Sequence, residues 1–491
     1  MLERISKTRF GRIIIVKIVS MVLAVEGIAM IPSICAGLYY GEHHAIHGLA
    51  ITSIITVLFA IFVIRRYRNY SVKLNIRDGF LVAFLSWALV CLLGALPYFL
   101  AGLSFSFIDS LFESTAGWTT SGAFIIPIHR MPNALLLWKA TSNWLGGMGI
   151  LVFTISLLPT LGKGAQNLAA SETTGPKLTK FASRLSDSSK ISYIIYCGLT
   201  LLELVLLLCD KSMSSFHAVI NTLSTVSTAG IFDVGGEIAW SFSPYAKLVI
   251  AIFSVIGAMN FIIFFLIVTG NIRRAFSNIE AKSYLIILSI ASVLIFVNLI
   301  IADQYPVLKS LGYAITQSIS FGSTSGFSVT DVSHWPAFSQ SILVILMLIG
   351  GCAASTAGSL KVIRVLIFFK LIRRGFYKRI HPNAVKPVML GKTVVSADIA
   401  SRITVYITLY IGILLFGALL ISFDNKDMIT TLTASLGSLS NNGSGLGDVS
   451  SGDFSTFSPL SKFVSLSLML IGRTEIYATL IVFTKDFWSR D

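Results

Sequence analysis

Charge is scarce in this chain: Asp, Glu, Lys and Arg make up only 12% of its 491 residues, against 54% hydrophobic residues and a mean hydropathy of +0.80. A soluble domain carries about twice that charge, so the soluble classes are excluded and the chain reads as an integral membrane protein. Cysteine is also sparse, with five residues at 35, 91, 197, 209 and 352 and no CxxC pair. That spacing excludes a disulfide framework and a zinc ribbon and predicts free, buried thiols. No P-loop, HExxH or nucleophile elbow occurs, and the longest basic loop, 162–190, is too short for a nucleotide-binding domain. An enzyme is therefore not expected, nor a sensor with a soluble output domain. The "GSGLG" of 443–447 echoes a dinucleotide fingerprint, but no strand precedes it.

The formal net charge of +15 marks topology rather than nucleic-acid binding. Most of the 38 lysines and arginines lie in 1–12, 65–77, 162–190, 271–282, 370–392 and 485–491, while the alternate loops carry acids such as Asp210, Asp233, Glu237, Asp331, Asp424 and Asp448. By the positive-inside tendency, the basic segments and both termini face the cytoplasm. The opening "MLERISKTRFGR" resembles a signal peptide, but the apolar run behind it continues to about Tyr40, which predicts a retained helix.

Apolar spans of about 20 residues, the length that crosses the hydrocarbon core, fall at 13–38, 44–64, 80–102, 134–158, 191–208, 246–269, 283–302, 339–372, 401–422 and 463–484. After the first two spans a unit recurs: a helix, a short amphiphilic segment, a small polar island, then a helix. The short segments are 104–118, 214–226, 308–322 and 427–439, too short to span and of re-entrant length. The islands "GWTTSGAF", "STVSTAGIF", "SFGSTSGFS" and "SLSNNGSGL" place glycines at 122, 230, 326 and 443, a period of about 100 residues.

Irregular backbone is tolerated in a membrane only where it lines a cavity. Four such islands can surround one axis, with glycine turning carbonyls inward and the short helices aiming their negative ends at the same place. That arrangement suits a dehydrated cation. The fold class expected is an all-α integral membrane protein, with two leading helices and four repeats of helix, re-entrant pore helix, filter loop and helix around a pseudo-fourfold ion path. The expected divisions are 1–70 for the lead, 71–161 for repeat 1, 162–190 for a cytoplasmic linker, 191–275 for repeat 2, 276–380 for repeat 3 and 381–491 for repeat 4. A secondary transporter of a small organic solute is the alternative, since broken helices also expose backbone at mid-membrane; such transporters usually show two repeats rather than four.

The motifs "ESTAGWTTSGA", "STVSTAGIFD", "SISFGSTSGFS" and "SLSNNGSGLGDV" resemble the pore loops of the Trk/Ktr/HKT superfamily of potassium transporters, and "NWLGGMGILVF", "GGCAASTAGSLKVIRV" and "MLIGRTEIY" resemble its second-helix signatures. The likeness covers about 70–491, and the two extra helices favour the Trk branch, of TrkH and TrkG type. It implies a potassium filter of Thr119, Thr120, Ser121 and Gly122; Ser227, Thr228, Ala229 and Gly230; Ser323, Thr324, Ser325 and Gly326; and Ser440, Asn441, Asn442 and Gly443. Ser121, Ala229 and Ser444 depart from the usual threonine, glycine and proline. The resemblance also implies potassium as the ion carried, a homodimer in inner-membrane lipid, and a separate cytoplasmic ring of nucleotide-binding regulatory subunits docking on the basic loops 162–190 and 370–392.

The span 339–372 is interrupted by ten small residues, Gly350 to Ser359. Close helix packing would explain them. In the family the stretch is a gating loop, which implies gate roles for Gly350, Gly351, Ser355, Thr356, Gly358 and Arg473. Arg473 is read as lying near the middle of a straight last span, a depth at which charge costs about 2.5–3.5 kcal/mol. Glu475, two positions on, would point away, so a partner from another repeat is required. Asp233, Asp331 and Asp448 follow their ring glycines by three to five residues and are expected near the outer mouth. His43, His44 and His47 could meet a metal on one helical face or simply be solvated in a loop.

Overall fold

The computed structural model describes residues 2–68, 76–103, 106–149, 185–230, 243–384, 386–391 and 393–489. Two lead helices open the chain. α1 (Leu2–Ala29) passes through Met30 into α2 (Ile31–Tyr40), whose Pro32 sits in the first turn, where a missing N–H is harmless. Left-handed Gly41 stops it, and α3 (His43–Arg66) returns, with Arg65 and Arg66 in its last turn against the negative helix end.

The first repeat consists of α4 (Ile76–Gly94), α5 (Leu96–Leu100), pore helix α6 (Phe107–Trp118) and α7 (Asn133–Gly147). The second consists of α8 (Leu185–Leu208), pore helix α9 (Ser215–Val226), α10 (Pro244–Ala258) and α11 (Phe261–Val268). α12 (Ile279–Ile301), pore helix α13 (Val307–Ser323), α14 (Ala337–Ile349) and α15 (Val362–Ile380) form the third. In the fourth, α16 (Ala397–Ile421) leads to pore helix α17 (Met428–Leu439), then α18 (Pro459–Arg473) and α19 (Tyr477–Leu480). A two-stranded hairpin, Val388–Leu390 with Thr393–Val395, joins the last two repeats.

The four re-entrant segments predicted from sequence are thus helices of 12 to 17 residues. Three start on polar caps: Ser106 accepts from Ile108 N, Ser214 from His217 N and Asp427 from Thr430 N. Among the described residues six helices are long and apolar enough to cross a membrane.

The sequence reading erred at two spans taken as straight. Span 246–269 bends by 97° between α10 and α11, and span 463–484 bends by 110° between α18 and α19. At the first bend Asn260 caps Ile262 N at 3.0 Å; at the second Glu475 and Ile476 have φ of 60° and 56°. The part of span 134–158 beyond Gly149, most of loop 162–190, and Asp233 lie outside the described residues. The thiols also need correction: Cys91 and Cys352 are buried, but Cys35, Cys197 and Cys209 are exposed, on outer faces where a small apolar group is at no disadvantage in lipid.

One apolar core joins the lead helices to repeat 1 through Ile18, Val22, Leu49, Trp87, Trp118 and Trp138, and another joins repeats 3 and 4 through Leu343, Met347, Tyr410, Leu439 and Phe454. Lipid removes the hydrophobic drive between helices, so close approach decides packing. A Cβ on Gly48 would stand 2.7 Å from the Pro97 carbonyl, so α3 meets α5 backbone to backbone.

Candidate ion pathway

All four pore helices end in one way. Thr120, Thr228, Thr324 and Asn441 are left-handed, with φ of 57°, 54°, 55° and 57°. The next N–H reaches back five residues each time: Ser121 to Ala116 O at 2.9 Å, Ala229 to Ser224 O at 2.8 Å, Ser325 to Ser320 O at 3.1 Å and Asn442 to Gly437 O at 3.0 Å. These are six-to-one C-terminal closures made without glycine at the turning residue. Left-handed backbone at a non-glycine costs of order 1–3 kcal/mol, and threonine is an unfavourable choice for it. Four identical strained turns mark a site.

The turn itself is therefore not carried by the glycines, as the sequence reading held, but by the residue two places before each. Gly326 and Gly443 do have positive φ, 69° and 81°. Gly122 is required for space. A Cβ there would lie 3.1 Å from Asn442 O, 3.3 Å from Gly230 O and 3.5 Å from Ser325 O, one carbonyl from each of the other three repeats. Gly230 N also donates to Ser325 O at 2.5 Å. The hydroxyls three residues before each glycine turn back on their own helices: Thr119 to Thr115 O, Ser227 to Leu223 O, Ser323 to Ser320 O and Ser440 to Gly437 O. With those hydroxyls engaged on their own helices, the atoms nearest Gly122 are backbone carbonyls.

Among the described residues, the loops leaving Gly122, Gly326 and Gly443 are each braced by their own pore helix. Glu113 is fully buried; one oxygen accepts from Ile125 N and Ile126 N at 2.6 and 2.7 Å, and the other from Lys139 Nζ at 2.6 Å. Gln317, at the same distance before its glycine, donates to Ser328 Oγ and Thr330 O. In repeat 4, Thr433 Oγ1 accepts from Leu446 N and Thr430 Oγ1 from Asp448 N. The sequence reading missed these braces, although an acid and a lysine inside apolar runs were the available signal.

Beneath the loops lies the segment from Gly350 to Lys361, left-handed at Gly350, Ala354, Ser359 and Lys361. Thr356 Oγ1 donates to Gly257 O at 2.9 Å and Val226 O at 3.2 Å, and Gly358 N donates to Thr324 Oγ1 at 2.8 Å. Gly350 and Gly351 fix its start, with Val362 N on Gly351 O at 2.9 Å, and Ser355 closes a turn onto Cys352 O at 2.5 Å. Glu280 accepts from Ala353 N at 2.6 Å. Arg473, the last residue of α18, donates to Thr356 O at 2.8 Å, Gly146 O at 2.5 Å and Gly147 O at 2.6 Å. The expected partners from other repeats are these carbonyls. Glu475 pairs with Arg364, whose guanidinium also lies 3.9 Å over the Tyr406 ring.

Outside the pore, Asp331 accepts from Ser333 N at 2.9 Å and lies 3.7 Å from His334, and Asp448 pairs with Lys426 at 2.8 Å. Partial burial pushes the Asp331 carboxyl up, but the Ser333 hydrogen bonds and His334 outweigh it and hold its pKa below the ordinary value. Among the described residues no three His, Cys, Asp or Glu side chains are placed to hold a metal, so His43, His44 and His47 do not form such a site.

Four pore-helix units, with second helices that break in repeats 2, 3 and 4 among the described residues, define a multi-pass membrane transport protein, not an enzyme. The chain belongs to the TrkH family of cation transport proteins, whose profile matches residues 46–490. It is similar to the Trk system potassium uptake protein TrkH of Halomonas elongata (32% identical, 97% of this chain and 99% of that protein) and to TrkH of Escherichia coli K12 (30% identical, 95% and 97%). The crystal structure of the potassium transporter TrkH from Vibrio parahaemolyticus superposes with a TM-score of 0.85 at 27% identity, over 97% of this chain and 99% of that one. Its place is the inner membrane, crossed several times.

Proposed function

We propose that the chain carries potassium across the cytoplasmic membrane, both termini on the cytoplasmic side, along the axis where the four glycines meet. The observation that supports this most is the convergence of Asn442 O, Gly230 O and Ser325 O about Gly122. Carbonyls gathered from separate repeats can replace the hydration shell of a monovalent cation while leaving it free to move on. The filter then comprises the four stretches 119–122, 227–230, 323–326 and 440–443. Potassium is the cargo, and no covalently bound cofactor is required. The names of the relatives, potassium uptake proteins, support that ion over sodium.

In this reading the segment 350–361 and Arg473 form the gate. A homodimer, and a cytoplasmic nucleotide-binding ring seated on the basic segments, complete the proposed assembly. The test is rubidium uptake into proteoliposomes holding the purified chain, with potassium, sodium or an organic solute as competitor. Competition by potassium well above sodium is expected. Competition by the organic solute alone would replace the pore with a solute transporter.

A further inference from the structure

α1 belongs to the two-helix lead, yet it carries a glutamate into the back of the first pore helix. Glu26 is fully buried, and among the described residues neither of its carboxylate oxygens has a hydrogen-bond partner. The same holds for the buried Ser114 Oγ and Trp118 Nε1, one turn apart on α6. All three converge on one point. A Cβ built on Gly94 of α4 would stand 2.6 Å from Ser114 Oγ, 2.9 Å from Trp118 Nε1 and 3.0 Å from Glu26 Oε1. The bare face of Gly94 thus lets a carboxylate, a hydroxyl and an indole N–H crowd within about one hydrogen-bond length of a common point, a polar cradle. Buried polar groups are nearly always satisfied, and a water needs two to four polar partners to be held. A bare cation does not suit the cradle, because the indole can only donate.

We propose that the Gly94 cradle binds an ordered water that donates to Glu26 and accepts from Trp118, making Glu26 a positioning residue for the filter of repeat 1. Trp118 is the last residue of its pore helix, packed edge-on against Trp138 at 6.0 Å and followed directly by Thr119–Gly122. Its ring orientation therefore fixes where that strained turn begins. The lead helices acquire a function through this contact: α1 packs on α4, and α4 on α6. The inference rests on the filter reading above.

The experiment compares Glu26→Gln, Glu26→Asp, Gly94→Ala and Gly122→Ser by rubidium-to-sodium flux ratio in proteoliposomes of the full chain, alongside a cryo-EM map that resolves ordered water. Gly94→Ala, which fills the cradle, and Glu26→Gln should each lower the ratio by about fivefold, the effect of losing one net hydrogen bond, and Glu26→Asp should recover part of it. A structural role alone would lower the amount of folded protein without moving the ratio. Density within hydrogen-bonding reach of Glu26, Ser114 and Trp118 supports the proposal. A map in which Trp118 donates straight to Glu26 overturns it. So does an unchanged ratio in Gly94→Ala and Glu26→Gln while Gly122→Ser still shifts it. If Gly122→Ser leaves the ratio unmoved as well, the filter reading has failed rather than the water site. Should Gly94→Ala and Glu26→Gln both fail to fold, Ser114→Ala with the parent map decides.

Discussion

Arg473→Ala tests the gate most directly, because the side chain ties two repeats to a third. Its guanidinium, at the end of α18 in repeat 4, holds Thr356 O of the loop and the paired Gly146 and Gly147 carbonyls of repeat 1. A hydrogen bond from a charged donor contributes about 1.5–3 kcal/mol. The two glycine carbonyls share one nitrogen and count as one tie. Water reaching the freed carbonyls returns part of the loss, so the net effect is about one tie, a shift of roughly 10- to 100-fold in the closed-to-open ratio. Rubidium flux into proteoliposomes without any partner protein should rise accordingly, toward its open-state ceiling. Arg473→Lys separates two physical causes. An ammonium keeps the charge that repels a cation, but it cannot reach all three carbonyls with the arginine fork. If the ties close the pore, the lysine variant leaks at an intermediate rate; if charge alone closes it, that variant is as tight as the parent. Parent-level flux in the alanine variant, with normal folding, would refute a gating role for Arg473.

Gly122→Ser places a Cβ among three carbonyls at 3.1–3.5 Å, so these must yield, and the potassium-to-sodium flux ratio should fall severalfold; an unchanged ratio at normal expression refutes the ring. Glu475→Gln strips the counter-charge from buried Arg364 and should destabilise the protein by up to about 3–5 kcal/mol, read as an earlier melting transition in detergent, with Arg364→Met in the same chain restoring part of it. Asp331→Asn should reduce uptake at low ionic strength and not at high, since screening acts over about 10 Å at 0.1 M salt, while Asp448→Asn should matter less because Lys426 already neutralises that carboxylate at 2.8 Å. Because the folded pKa of Asp331 is depressed, its charge stays as pH falls through the usual carboxylate range and is lost only below it; a decline in the Asp331-dependent part of uptake nearer neutrality would contradict that assignment.

The number and order of units were legible because their signals are long-range and redundant: apolar length, basic loops on one side alternating with acidic loops on the other, and a glycine island recurring behind a half-length helix. Composition alone excluded the soluble readings, and the absence of catalytic motifs argued against an enzyme. The bends after Ala258 and Arg473 were not legible as bends, since an apolar run of the right length reads as one span. Asn260 and the Arg473–Thr474–Glu475 triplet mark the breaks, but Lys247, Ser254, Ser465, Ser467 and Thr479 are polar in the same runs without breaking them, so polarity at one position does not say whether a helix kinks or buries the group. The left-handed turn at Thr120, Thr228, Thr324 and Asn441 was hidden for a different reason: propensity assigns such backbone to glycine, and tertiary packing has overridden it four times. Side-chain braces such as Glu113 with Lys139, or Arg364 with Glu475, join positions 26 and 111 residues apart, which no local pattern pairs.

The breaks in the second helices and the small residues near them have one physical origin. A helix that stops inside the membrane exposes carbonyls with no partner in the next turn, and lipid cannot satisfy them. Here the ends of α7 and α10 present Gly146, Gly147 and Gly257 carbonyls to Arg473 and Thr356. The acceptors must also come close to the pore-helix ends. Gly146 lies directly under the Trp118 carbonyl, and a Cβ on Gly147 would stand 2.8 Å from both Ser227 Cβ and the Tyr196 hydroxyl. Larger residues would push the first and second pore helices away from the axis. The same glycines therefore set the filter's spacing from below and supply the oxygens that hold Arg473, so release of the arginine frees backbone that touches two of the four filter turns.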